Sequence, residues 1–367
     1  MDLLRTARSA IPTMRVLKSS TSTNKNIALR QMDKTEMRLD PLTEAWTIFS
    51  TSHPAPPAFH SLNEGSAAPS PFTAGNERFA PRALYTAAKT DSEEWQVRVT
   101  PNRAPVLQIE GDPIPQSDGF YDRMDGIGAH EIIVEEPGSA ALETLPLRDV
   151  EKVLVAWKVR MLDLMKDARM RSFLVVKNVG APAGARTSHS VSQLLAMAVV
   201  PPFLRQKLQT ARAFFVAKKR SIFSDILREE VRTGVRLVYE NNGFTVFCPY
   251  ASRAPFELAI YPKRQCADFH GVTDQEIAQL ADVLKTALSK LNRALDHPPY
   301  NLMLFTAPTR TARRDHWATI EADFRWHIEI LPRIYVPGGV EFSTGCWLNS
   351  IWPETAADYM RGLETQE

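Results

Sequence analysis

Apolar and polar positions alternate over residues 95–99, and a more uniformly apolar run follows over 130–135 (HEIIVE); both patterns predict strands. Between 147 and 166 the period lengthens, and Val150, Val153, Leu154, Trp157, Met161 and Leu164 fall on one face of a helix. A strand over 172–176, a turn rich in glycine and alanine, and a strand over 191–200 stopped by Pro201-Pro202 complete the series. Turn residues punctuate it at Pro101-Asn102 and over 111–128. The same order then recurs. Strands over 244–247 and 256–261 flank the turn Ser252-Arg253-Ala254-Pro255. Thr273 caps a helix that runs to about 295, with Ile277, Leu280, Leu284, Leu288 and Leu291 along one face. Strands over 301–305 and 326–331 follow, the second stopped by Pro332. Strand, strand, helix, strand, turn, strand therefore occurs twice, which points to a duplicated unit. Antiparallel strands packed by one main helix per half give an α+β fold. The expected halves are 37–215 and 216–367, behind a basic arm, 1–36.

Composition changes this picture little. With 367 residues, 44% of them hydrophobic and 23% charged, the chain has room for one large core or two fused ones. A net charge of +2 gives no argument for a nucleic-acid partner, and no apolar run reaches the length of a membrane span. Cys248, Cys266 and Cys346 are odd in number and far apart, which excludes a disulfide framework and fits a reducing compartment, the cytoplasm. Residues 3–32 contain no acidic side chain, while Arg5, Arg8, Arg15, Lys18, Lys25 and Arg30 sit among serines and threonines. Two readings fit: an organelle-targeting segment, or a disordered or partner-clasping arm. Residues 52–81, rich in Pro, Ala and Ser, read as a long loop.

Residues 177–202 read KNVGAPAGARTSHSVSQLLAMAVVPP. This segment resembles the active-site segment of galactose-1-phosphate uridylyltransferases and related nucleotide-sugar and dinucleotide phosphorylases of the HIT superfamily. That family has Lys-Asn-x-Gly, Ala-Gly-Ala/Ser and His-Pro-His-Ser/Gly-Gln, then a strand ending in Val-Pro-Pro. RLDPLTEAWTIFS (38–50), VRVTPNRAPVL (97–107), FCPYASRAPFELAIYPKR (247–264), HPPYNLMLFTAP (297–308), RWHIEILPRI (325–334) and FSTGCWLNSIWPE (342–354) extend the likeness over almost the whole chain from about residue 37. It implies tandem HIT-like halves, and as ligand a nucleotide, nucleotide sugar or sugar phosphate. It also implies a homodimer.

The family works through a covalent nucleotidyl-histidine on the second His of His-Pro-His, whose unprotonated ring nitrogen attacks the α-phosphorus. Here His189 matches the first His and Val191 the second. An isopropyl group cannot attack phosphorus. The zinc positions that the resemblance implies read Ser70, Thr73, Ser139 and His189, and a second Cys-x-x-Cys position reads Ser221 and Ser224. A further metal site draws on positions that read Phe305, Arg325 and His327. Neutral hydroxyls are poor zinc ligands, so the expectation is no metal and no cofactor.

Other family positions survive. Gln193, which in the family hydrogen-bonds the reacting phosphate, is present, as are Lys177, Asn178, Ser192 and the small residues of 180–184, which let backbone N–H groups approach an anion. Arg98 and Asn102 stand where relatives contact the nucleotide, and Arg325 beside His327 suits a phosphate or carboxylate. The expected catalytic set is His189, Gln193, His327 and Arg325, with Arg98, Asn102, Lys177, Asn178 and Ser192 binding substrate. Each has a plainer reading, as a strand-paired cation or a core histidine. The expected activity is one-step displacement at phosphorus or a reaction away from it; the alternative is a non-catalytic binding or regulatory protein. Asp315-His316-Trp317 is a weaker loop candidate, His53 and His60 read as solvated, Cys248 as packing, and Lys218-Lys219-Arg220 as a solvated linker.

Overall fold

A computed structural model describes residues 35–39, 46–50, 70–89, 94–138, 140–310 and 318–364. In chain order these form β1 (Thr35–Leu39), β2 (Trp46–Ser50), β3 (Tyr85–Ala88), β4 (Trp95–Pro101), β5 (Gln116–Asp118), β6 (Tyr121–Asp125), β7 (Gly128–Val134), α1 (Leu147–Leu164), β8 (Ser172–Val179) and β9 (Val191–Met197). Two helices follow, α2 (Pro202–Lys218) and α3 (Ile222–Thr233), then β10 (Leu237–Glu240), β11 (Phe244–Phe247), β12 (Leu258–Pro262), α4 (Asp274–Leu295) and β13 (Tyr300–Phe305). A short α5 (Ile320–Asp323), β14 (His327–Pro332), α6 (Gly339–Thr344) and α7 (Pro353–Arg361) complete the fold.

Ten strands make one antiparallel sheet in the order β10-β11-β12-β14-β13-β8-β9-β7-β4-β3. Outward from the central β8–β13 pair the halves read alike: β8, β9, β7, β4, β3 on one side and β13, β14, β12, β11, β10 on the other. That is the duplicated order expected from the sequence, and the α+β class with it. The junction is a regular ladder, with Asn301 opposite Asn178 and Leu302 opposite Lys177.

Helices α1 and α4 lie together on one face, here called the back. Thr273 and Glu276 form a reciprocal capping box at the start of α4, satisfying two backbone donors that the first turn leaves over. Leu280, Leu284 and Leu288 are fully buried, each contributing about 1.5–3 kcal/mol of transfer free energy. They join Val153, Trp157, Leu194, Leu302 and Ile328 in one core that spans both halves. Lys158 Nζ donates to the Val272 carbonyl (2.6 Å) and Lys285 Nζ to that of Leu145 (2.8 Å), so each helix is fastened to the loop before the other.

The front of the sheet is covered differently in the two halves. Over the second half, Leu204, Leu208 and Ala211 of α2 and Phe223 and Leu227 of α3 pack on Phe247, Ala259, Tyr261 and Phe305. Over the first, a small sheet, β2-β1-β6-β5, brings Met37 and Met124 against Leu107 and Met197. The boundary expected at 215/216 falls inside α2, which packs on the second half; the repeat itself ends after β9. Residues 111–128, expected as turn alone, contain β5 and β6. Lys218-Lys219-Arg220 is the α2–α3 corner, with Lys219 in the left-handed region (φ 57°) and Arg220 paired with Asp225 at 2.5 Å. The basic arm up to residue 34, His53, His60, Ser139 and Asp315-His316-Trp317 lie outside the described residues. Among the described residues no helix is long and apolar enough to cross a membrane.

Candidate functional site

Successive residues of a strand face opposite sides of its sheet. On β9, Ser192 and Leu194 face the back, while Val191 and Gln193 face the front, half-buried. Ser192 is fully buried, and its Oγ accepts the indole N–H of Trp157 on α1 at 2.8 Å. Lys177 also faces the back. Its ammonium pairs with Glu135 Oε2 at 2.6 Å and donates to Ser190 Oγ at 2.9 Å, and Ser190 donates to the same carboxylate oxygen at 2.6 Å. Lys177 and Ser192, expected to touch substrate, are thus separated from Gln193 by the sheet and hold the core together.

The front carries the polar constellation. Gln193 Oε1 lies 2.8 Å from His130 Nε2. The other ring nitrogen, Nδ1, accepts the backbone N–H of Val106 at 3.2 Å. An acceptor at Nδ1 puts the ring proton on Nε2, so His130 donates to Gln193. This fixes the amide: Oε1 is taken, and the NH2 group is what Gln193 offers on the front of the sheet. Asn102 completes the chain. Its Nδ2 lies 3.1 Å from His130 Nε2 and 3.4 Å from Nδ1; with the ring proton on Nε2, Nδ1 is the nitrogen that can accept from it, and Asn102 Oδ1 accepts the N–H of Ala104 at 3.0 Å. His130 went unnoticed in the sequence, where it reads as the first residue of an apolar strand.

Two further expected residues share this face. Arg98 lies opposite Val134, which lies opposite Val191. At ~4.8 Å per strand, Arg98 is about 10 Å from Val191 across the sheet. Its guanidinium donates to the Pro81 carbonyl at 3.3 Å. Asn178 Oδ1 accepts from Asn301 Nδ2 at 2.7 Å, which leaves the Asn178 amide N–H groups to point elsewhere. The same Asn301 amide reaches the Ala183 carbonyl at 2.8 Å and so pins the turn after β8. Gly180 opens that turn with φ 78°, and a Cβ there would meet Pro299 at 2.8 Å, so the position requires glycine.

His189 stands at the edge. Its Nδ1 is 2.7 Å from the Gly138 carbonyl, and the Phe72 ring meets it edge-on at 5.8 Å. The Ala74 N–H donates to the Pro137 carbonyl, so the turn holding Ser70 and Thr73 is drawn to His189 by backbone and ring contacts. With Lys177, Asn178, Asn292, His297 and Tyr300, His189 lines a cavity of about 490 Å³.

His327 and Arg325 are elsewhere. Gln193, Val176, Met303 and Glu329 form one row across β9, β8, β13 and β14, so the His327 end of β14 is three strands, about 14 Å, from Gln193. His327 is wholly buried, and burial and the neighbouring Lys207 charge push its pKa down. The Arg325 guanidinium donates to the carbonyls of Pro262, Lys263 and Arg264 and to Ser224 Oγ (2.9 Å); burial lowers its pKa to about 10. Arg325, expected to meet a phosphate, instead binds the carbonyls where β12 ends, and neither residue is bonded to Gln193 or His130.

Residues 27–201 match the family Galactose-1-phosphate uridyl transferase, N-terminal domain. ADP-glucose phosphorylase of Arabidopsis thaliana is 30% identical over 338 residues, covering 89% of this chain and 92% of that protein. The galactose-1-phosphate uridylyltransferase of Thermotoga maritima is 26% identical over 340 residues, covering 90% of this chain and 99% of that protein. The crystal structure of the Arabidopsis phosphorylase with bound ADP-glucose superposes with a TM-score of 0.70 at 28% identity, covering 90% of this chain and 99% of that one. Sequence order, sheet topology and these likenesses agree, and the chain belongs to the galactose-1-phosphate uridylyltransferase family.

Proposed function

We propose that this protein binds a nucleotide sugar or a sugar phosphate on the front of the first half and acts on it without a covalent nucleotidyl-histidine. The observation that carries this reading is the Asn102–His130–Gln193 chain standing beside Val191: the amide that would hold a phosphate is oriented, and the neighbouring side chain is an alkyl group. Similarity to a phosphorylase with bound ADP-glucose makes ADP-glucose the first ligand to try. In a one-step reaction an acceptor oxygen attacks the α-phosphorus directly as the sugar phosphate leaves, with inversion at phosphorus. Gln193, Asn178 and Arg98 donate hydrogen bonds to the developing charge.

A second reading, binding without turnover, is favoured by one detail. His130 and His327 have both ring nitrogens engaged within the protein, so neither offers a free base to an acceptor. A homodimer is part of the proposal, supported by Val336, Phe342 and Trp352, apolar side chains each more than three-quarters exposed. The cytoplasm is the proposed compartment, on the free thiols of Cys248, Cys266 and Cys346, with organelle targeting through the basic arm as the alternative.

The test is a thermal-shift panel of nucleoside mono- and diphosphates, nucleotide sugars and sugar phosphates, since a ligand of the native state raises Tm by mass action. Nucleotide sugars or sugar phosphates should shift the protein; no shift from any compound refutes the proposal. Turnover of the shifting compound, followed by product analysis, then separates the two readings. Val191→His, incubated with ADP-glucose, is expected to gain a nucleotidyl adduct by intact mass, whereas the native chain shows none.

A further inference from the structure

The family likeness implies a metal at the positions of Phe305, Arg325 and His327, and these residues do not fit one. A zinc-like ion needs three or four N, O or S donors. Phe305 has no donor atom, and Arg325 is itself a cation spent on carbonyl oxygens. Among the described residues, the His, Cys, Asp and Glu side chains that present lone pairs there are His327 and, two residues along the same face, Glu329. Among the described residues no three His, Cys, Asp or Glu side chains gather as a metal would require.

What stands between these two donors is an ammonium. Lys207, on α2, places Nζ 2.9 Å from His327 Nε2 and in an ion pair with Glu329. The same nitrogen lies 4.0 Å from the centre of the Phe305 ring, and Phe203 approaches it from another side at 5.2 Å. His327 is set toward it. Nδ1 lies 2.9 Å from the Arg325 carbonyl oxygen, which can only accept, so Nδ1 carries the proton and Nε2 aims its lone pair at Lys207. A carbonyl on the far nitrogen is how a metal-ligating histidine is usually oriented. The second oxygen of Glu329 accepts from Arg253 at 2.7 Å, so the carboxylate is fully engaged. A divalent ion could not join this group while the ammonium is present, because like charges a few ångströms apart repel.

We propose that Lys207 is an internal cation in a metal's place: its ammonium occupies the two lone-pair donors, His327 and Glu329, and so fastens α2 to β13 and β14 without an ion. The lysine does this from a helix that covers the sheet, so one side chain links the two layers of the second half. Nothing in this inference depends on the ligand proposed for the front of the first half.

Two variants test it, each measured beside the unaltered protein. Lys207→Met keeps the length of the side chain and removes its charge; Tm is expected to fall by about 4 °C or more, and an unchanged Tm overturns the proposal. Lys207→Glu removes the blocking charge and adds an oxygen donor beside His327 and Glu329. Titrated with zinc alone, it is expected to take up one equivalent more than the unaltered protein and to recover Tm as it does so. No additional zinc uptake overturns the claim that the ammonium stands where an ion would. If Lys207→Glu does not fold, Lys207→His, which adds a neutral donor, enters the same titration with the same two outcomes.

Discussion

Replacing Lys177 by methionine separates two roles for that residue. Lys177 is 3% exposed at its side chain and its partner Glu135 is wholly buried. Glu135 Oε1 has no partner among the described residues, so the carboxylate depends on the Lys177 ammonium and the Ser190 hydroxyl, both at Oε2. Removing the ammonium leaves a buried charge with one neutral donor, which costs about 3–5 kcal/mol. With a urea m-value of about 3 kcal/mol/M the unfolding midpoint falls by roughly 1–1.7 M. Neutralising the stranded carboxylate as well, in Lys177→Met with Glu135→Gln, should recover a good part of that loss, a coupling that a double-mutant cycle reads directly. The assay is urea unfolding followed by circular dichroism, with ligand shift measured on the surviving native protein. If Lys177→Met unfolds at the original midpoint yet loses its response to ADP-glucose, the ammonium serves the ligand and the assignment to the core is refuted.

Three further outcomes follow from the same geometry. Ser192→Ala removes the acceptor of the Trp157 indole and should cost about 1 kcal/mol in urea unfolding while leaving ligand response unchanged. His130→Ala frees the Gln193 amide to rotate, so ligand shifts should shrink far more than the midpoint of unfolding moves; equal loss of both would make His130 merely structural. At the α4 cap, hydrogen bonds from Arg264 hold Glu276 below its ordinary pKa. A lowered folded pKa adds stability that is present above the unfolded value of about 4.3 and is lost as pH falls through the folded one. Glu276→Gln should therefore be less stable than the native chain at pH 7, and the difference should shrink when unfolding is repeated at about pH 3.

Much of the architecture was legible because periodicity changes where the elements change. The Thr273 cap, the α4 face and the repeated strand order all lie within short windows of sequence. Strand parity was legible too. Adjacent residues such as Ser192 and Gln193, in mid-strand, point to opposite faces, and the burial of Ser192 follows once β9 is placed; Lys177 and Asn178, near the end of β8, also alternate in face yet both reach the His189 cavity there. Helix α2 carried a readable signal in Leu204, Leu208 and Ala211, spaced along one face, but the basic corner after it looked like a linker. Other features depend on distant register. His130 meets Gln193 only because β7 and β9 pair with that particular offset, across 63 residues of chain. Arg325 resembled an anion site because a guanidinium beside a histidine is chemically apt for one; the three carbonyls that take it come from the end of another strand.

The regular ladder between β8 and β13 has a mechanical consequence. The two halves share backbone hydrogen bonds at their junction, and on the back α1 and α4 are each bolted to the loop preceding the other. Such a body has no seam along which one half could swing against its twin. If the proposed ligand lies on the front, jaws formed from the two halves therefore cannot enclose it. Shielding it from water would then fall to pieces laid over that surface, with the sheet as a stiff table beneath them.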